Sequence, residues 1–271
     1  MFGFDDRLTL EGLQAALSGH PFVREVAYYS RVGSSNDVAK ACAGAGAHEG
    51  LLVVADEQTA GRGRMQRDWW APSGAALLTS VLFRPPLLAE QAQQLAMLCA
   101  LAAADAVTEC TGLSVALKWP NDLLIRERKL AGVLAETAFK GDCLDFVVVG
   151  VGINVNMDFV DAPEFITPAT SLRLALGHPV ARLGLLLAYL DGVAQRYAQL
   201  KAGHSPYKEW AARLVTVGRR VRARRMDGVL DGVAEGVAPD GALLLRTADG
   251  VCRRLLAADV SLRGGHPAQD A

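Results

Sequence analysis

The sequence predicts an α/β fold: a mixed β-sheet flanked by helices, followed by a small antiparallel β-barrel. Three observations carry that prediction. Leu51–Ala55 (LLVVA) is a short, continuously apolar run, as expected of a strand covered on both faces. Gln91–Cys110 and Arg182–Lys201 are long stretches of helical character, the first rich in alanine. After Val217 the texture changes to short runs of alternating apolar and polar residues. Turns fall there at Met226–Gly228, Pro239–Gly241 and Asp249–Gly250, the pattern of a barrel of roughly 50 residues.

Taken in order, Leu8–Ser18 reads as a short amphipathic helix and Glu25–Tyr29 (EVAYY) as a strand. SSNDVAK opens a second helix, with Ser34, Ser35 or Asn36 placed to cap it, since their side chains accept from free helical N–H groups. Beyond LLVVA, Gln58–Ser73 is a long polar loop rich in glycine and arginine, a type often used for binding or as a lid. Ala76–Phe83 is the next strand. After the alanine-rich helix come strands over Val115–Trp119, Leu123–Arg126 and Lys129–Phe139, then a long buried strand, Asp145–Asn156, interrupted by glycines. Arg182–Lys201 and Tyr207–Val215 read as helices. The expected division is 1–216 and 217–265, with a frayed tail at 266–271. There is no internal repeat and no heptad pattern.

Of the 271 residues, 51% are hydrophobic and 21% charged, which excludes a disordered chain and allows a sizeable core without disulfides. The net charge of −1 argues against bulk binding to nucleic acid or to an anionic membrane. The cysteines (Cys42, Cys99, Cys110, Cys143 and Cys252) are odd in number and contain no C-x-x-C pair. That pattern implies reduced thiols and a cytoplasmic setting, not a zinc site. The acidic start lacks a signal-peptide pattern, and the apolar stretch Leu95–Ala104 is too short to span a bilayer. Arg220, Arg222 and Arg224 alternate with Val221 and Ala223, as on the solvated face of a strand; a nucleic-acid patch is the other reading, but no aromatics are interleaved.

Four segments carry chemistry. Gly61-Arg62-Gly63-Arg64-Met65-Gln66-Arg67-Asp68-Trp69 brings three arginines together between glycines. Glycine lets backbone N–H groups approach an anion, and guanidinium groups match carboxylate and phosphate. Alone, the pattern also fits a solvated basic loop. Lys118-Trp119-Pro120-Asn121-Asp122 places a lysine, an amide and a carboxylate at a strand-to-strand turn, suited to a nucleotide phosphate and its magnesium, or to a plain hairpin. Arg128-Lys129-Leu130-Ala131-Gly132-Val133-Leu134-Ala135-Glu136 starts a strand with Lys129 at its entrance and small residues that leave room for a ligand, or with a snorkelling lysine and a bulge glycine. Gly150-Val151-Gly152-Ile153-Asn154-Val155-Asn156 has a G-x-G spacing without the third glycine and helix of a Rossmann fingerprint. Its glycines admit a ligand to the sheet, or mark a sheet corner.

In combination and in this order, GRGR-x-x-R-x-W, KWPND, RKLAGVLAE and GVGINVN resemble the catalytic domain of the biotin protein ligases, strongly over Tyr28–Asn156. GALLLRTADG and ADVSLR resemble that family's small SH3-like C-terminal domain. The resemblance implies an ATP-dependent, AMP-forming enzyme. It would make biotinyl-5′-AMP from biotin and MgATP, then biotinylate a lysine of a biotin carboxyl carrier protein.

The resemblance places Ser34, Ser35, Asn36 and Gln58 around the biotin head. Gly61, Arg62, Gly63 and Arg64 fold over biotin and the α-phosphate, Lys129 reaches both anions, and Gly132, Val133 and Leu134 form the pocket wall. Arg62, Arg64, Arg67, Trp69, Lys118, Asn121 and Asn154 are expected to hold ATP, with Trp69 and Asn154 as candidates for the adenine. Asp122 is the expected magnesium ligand, and Arg64, Lys118 and Lys129 the catalytic set.

Two departures from the family stand out: Gln66 replaces a frequent glycine, and Ser35 a usual threonine. The resemblance also implies a possible homodimer, no DNA and no membrane partner, since Met1–Ala27 is too short for the winged-helix domain of the repressor members. Lipoate or octanoate transfer and a non-catalytic biotin sensor are the alternatives. No general base is evident, and His20, His48, His178, His204 and His266 lie outside the motifs.

Overall fold

The computed structural model describes residues 6–141, 143–160, 162, 168–225, 227–256 and 258–262. In chain order the elements are α1 (Leu10–Ala16), β1 (Glu25–Tyr29), α2 (Ser35–Gly44), β2 (Leu51–Ala55), β3 (Ala76–Phe83), α3 (Gln93–Thr111), β4 (Ala116–Lys118), β5 (Asp122–Ile125), β6 (Arg128–Lys140) and β7 (Cys143–Asn154). They continue with α4 (Leu172–Leu176), α5 (Arg182–Lys201), α6 (Tyr207–Ala212), β8 (Arg220–Arg225), β9 (Gly228–Val237), β10 (Leu243–Thr247), β11 (Cys252–Leu255) and β12 (Asp259–Leu262). The tail 266–271 lies outside the described residues.

Seven strands form one mixed sheet in the order β1-β2-β3-β7-β6-β5-β4; β1 and β2 are parallel and every other neighbouring pair is antiparallel. Both faces are covered, which explains the continuous apolarity of β2. Leu52 and Val54 join the main core with Leu77, Val81 and Phe83, under α3 and α5. Leu51 and Val53 turn the other way, onto Ala39 and Ala43 of α2. The alanines of α3 serve close approach: a Cβ added to Gly192 of α5 would stand 3.2 Å from the Ala102 methyl.

The last five strands form an antiparallel sheet in the order β11-β10-β9-β8-β12. Among the described residues no ladder joins β11 to β12, so the expected barrel is a sheet with two edges. Its apolar face, with Val221, Ala223, Leu243, Leu245 and Val260, belongs to the same core as α3 and the first sheet. Polar bonds fasten the junction: Trp119 donates its indole N–H to Gly241 O at 2.8 Å, and the Tyr207 hydroxyl donates to Val237 O at 2.6 Å.

Element ends differ from the sequence expectation where tertiary partners take the backbone. The helix expected to reach Val215 stops at Ala212, because Val215 N donates to Leu117 O of β4. β4 stops at Lys118, because Trp119 N donates to the Thr216 hydroxyl. Ser34 occupies the cap position of α2 but makes no side-chain cap bond. The N–H of Ser35 is satisfied instead by Gln58, from the neighbouring loop.

Candidate active site

Beside α2, the sheet carries small and polar residues where elsewhere it is apolar, and a cavity of about 430 Å³ opens there, within the range of small-molecule sites. Every residue that the sequence singled out for binding lines it, except Gly61. Gly61 closes the loop: an added Cβ would lie 2.6 Å from Trp69 O, and Trp69 N donates to Gly61 O at 2.9 Å.

One end of the cavity is neutral and hydrogen-bonded. Gln58 Oε1 accepts from Ser35 N at 2.8 Å and from the Ser35 hydroxyl at 3.0 Å. Ser35 in turn lies 2.8 Å from the hydroxyl of Ser80, which donates to Asn36 Oδ1 at 2.6 Å. Asn36 Nδ2 donates to Glu136 at 2.7 Å. Gly150 makes room for this: a Cβ there would stand 2.3 Å from Asn36 Oδ1. Both ends of the Asn36 amide are thus spent inside the protein.

The other end is cationic. Asp122, at the start of β5, receives Lys129 Nζ at 2.6 Å and lies 4.0 Å from Lys118 Nζ. Burial pushes the Lys118 ammonium pKa down, with Asp122 opposing the shift. Burial likewise draws the Arg64 guanidinium down against the pull of Asp122; its hydrogen bond to Leu256 O is long, at 3.4 Å. Asn121 braces the turn, donating to Val133 O at 2.7 Å and accepting from Val133 N.

Two of the expected ATP-binding residues also have contacts within the chain. The space left by Gly132 and Gly152, paired across β6 and β7, is filled by Trp69: a Cβ on Gly152 would come within 2.7 Å of the indole. The indole N–H is buried without a partner, and Lys129 Nζ sits 5.5 Å from the ring centroid. Asn154, expected at the adenine, donates to Thr170 O at 3.0 Å and more weakly to Lys129 O at 3.5 Å, so its amide nitrogen serves the backbone.

The arginine loop folds on itself as a small hairpin, with Arg62 bridged to Asp68 and Gly63 N donating to Arg67 O at 2.7 Å. Its left-handed residue is Met65, with φ 55°, a conformation that favours glycine. Arg62 turns to α2 and forks onto Asp37, Nη1 to Oδ2 at 2.8 Å. That pairing holds the Asp37 carboxyl below its usual range and raises Arg62. Arg67 is ion-paired with Asp259 of β12. Both feet of the loop meet buried Arg182, which donates to Asp56 at 2.7 Å, to Ala76 O at 3.3 Å and to Asp6 at 2.8 Å.

Sequence reading missed Ser80, Glu136 as a partner, Asp37 and Asp259. Ser80 reads as the middle of an apolar strand, and Asp259 lies far along the chain from the loop it holds. No local pattern marks either. Among the described residues no group of three or more His, Cys, Asp or Glu converges on a metal site. Nor is any helix of the described residues long and apolar enough to cross a membrane.

Known proteins match this architecture. The profile of the Biotin/lipoate A/B protein ligase family matches residues 29–154, and that of the Biotin protein ligase C terminal domain matches residues 216–263. The Bifunctional ligase/repressor BirA of Bacillus subtilis is 35% identical over 254 residues, covering 93% of this chain and 77% of its own. The Biotin–[acetyl-CoA-carboxylase] ligase of Mycobacterium tuberculosis is 35% identical over 249 residues, 89% of each chain. The biotin protein ligase of Aquifex aeolicus, solved in complex with biotin and ATP, superposes with a TM-score of 0.73 at 28% identity, over 89% of this chain and all of that one. The two sheets, the order of the motifs and these likenesses make the chain a member of the biotin protein ligase family.

Proposed function

We propose that the protein is an ATP-dependent biotin protein ligase that forms biotinyl-5′-AMP and passes the biotinyl group to a lysine of a biotin carboxyl carrier protein. One observation supports this most: a single cavity joins a hydroxyl and amide cluster at one end to three cations gathered around one carboxylate at the other. The first end suits the neutral bicyclic head of biotin. The second suits a carboxylate brought against a triphosphate.

In the first step a biotin carboxylate oxygen attacks the α-phosphorus and pyrophosphate leaves with the bonding pair. Lys129 and Arg64 lower the repulsion between the two anions, and Lys118 steadies the phosphates, all by placement in a site of low polarity. Asp122 offers one carboxylate, which fits magnesium arriving with the phosphates of ATP, since that ion keeps most of its ligands from water and phosphate. Magnesium there would supply further neutralisation of phosphate charge. Trp69 walls the space between the two ends, and Asn154 holds Thr170, whose N–H donates to the Lys129 carbonyl. In the second step the carrier's lysine amine attacks the activated carbonyl, the bond to phosphate oxygen breaks and AMP departs. The loop over residues 61–69 serves to keep water from the mixed anhydride meanwhile.

Biotin-dependent exchange of labelled pyrophosphate into ATP tests the reading. We expect exchange only with biotin, and losses of about 100-fold or more in Arg64→Ala and in Lys129→Ala, as when one transition-state donor is removed. Exchange with lipoate alone would reassign the substrate, and none with either would remove the enzyme reading.

A further inference from the structure

The side chains behind the neutral end of the cavity fix one another's roles as donors and acceptors. Glu136 is a carboxylate paired with Lys40 at 2.6 Å, so it only accepts. The group 2.7 Å from it on Asn36 must therefore be Nδ2, which leaves Oδ1 facing Ser80 at 2.6 Å. Oδ1 only accepts, so the single proton of Ser80 lies on that bond. Across the 2.8 Å contact between the two hydroxyls, Ser80 is then the acceptor. The other neighbour of the Ser35 hydroxyl, Gln58 Oε1, is fixed as an acceptor by Ser35 N–H. Ser35 thus has one proton and two inward acceptors for it. Only its lone pairs remain for a ligand.

We propose that Glu136, Asn36 and Ser80 form a polarised relay that makes Ser35 an obligate acceptor, so that the pocket selects a head group carrying an N–H donor at that point. Ser80 and Asn36 are positioning residues in this scheme; Ser35 makes the contact. A cyclic urea presents such a donor, whereas a dithiolane presents none. Gly150 belongs to the device, because any side chain there would displace the Asn36 amide. This inference rests on biotin as the ligand.

The test is calorimetric binding of biotin and of its two cyclic carbamate analogues, in each of which oxygen replaces one ureido N–H. On the wild-type chain one analogue should bind at least about 100-fold more weakly than biotin, as sites built around a hydrogen bond reject the analogue lacking it. In Ser80→Ala the proton of Ser35 keeps one inward acceptor instead of two, and that ratio should fall about tenfold. A purely structural role for Ser80 would weaken both ligands by the same factor and leave the ratio unchanged, which overturns the relay. Both carbamates binding the wild type within about tenfold of biotin overturns it without any variant. A wild-type chain that binds no biotin overturns the ligand reading and the relay with it.

Discussion

Lys118 is 7% exposed, and its ammonium is held below the ordinary lysine value of 10.5 by burial. A triphosphate arriving beside it reverses that balance, because a nearby anion favours the charged form. Binding of ATP should therefore draw in protons at alkaline pH, in the window between the depressed value and 10.5. Titrations in buffers of different ionisation enthalpy measure this uptake, and Lys118→Met should abolish it. The sign for the fold alone is distinct. A lowered lysine pKa means the unfolded chain binds more protons in that window, so stability attributable to Lys118 rises with pH there. At this scale, the sequence displayed the cations through their motifs but hid their supports. Ser80 and Glu136 gain meaning only when Asn36 of α2, far from both in sequence, is brought between them. Asn154, which stands in a glycine-rich motif, gives its amide to carbonyl groups that no pattern reveals.

Among elements, the loop over residues 61–69 is held from two sides, by Asp37 of α2 through Arg62 and by Asp259 of β12 through Arg67. Both pairs are part-exposed, and such pairs contribute only about 0–1 kcal/mol to stability. Asp259→Ala should thus leave the melting temperature within a degree or two, roughly what so small a loss implies for a chain of this size. It should raise the KM for ATP and speed amide hydrogen exchange across residues 61–69. Unchanged exchange there would show that β12 does not hold the loop. Strands were legible here because β2 is apolar on both faces and β7 interrupts such a run with glycines. Their ends were not, since Thr216 and Leu117 claim backbone groups across the chain.

For the whole molecule, the two sheets share one apolar core, and Trp119, 1% exposed, is sealed by Gly241 from the second sheet. A chain ending at residue 216 would bare that face and leave an indole N–H without its partner. We expect it to aggregate or to unfold well below the full chain, as followed by light scattering and near-ultraviolet dichroism. A soluble, cooperatively folded fragment would contradict the shared core. The change of texture after Val217 was readable in sequence because turn residues recur there. Its packing was not, since contacts such as Tyr207 to Val237 have no sequence signature. Across the first sheet, Arg182 clasps the point where residues 57–75 leave the sheet and return to it. In mechanical terms that is a door frame: both posts are fixed to the fold, and Trp69 presses the segment between them back onto the sheet. Substitutions at the exposed turn around Met65 fall between those fixed posts, so natural variation there can retune what the loop does without refolding what carries it.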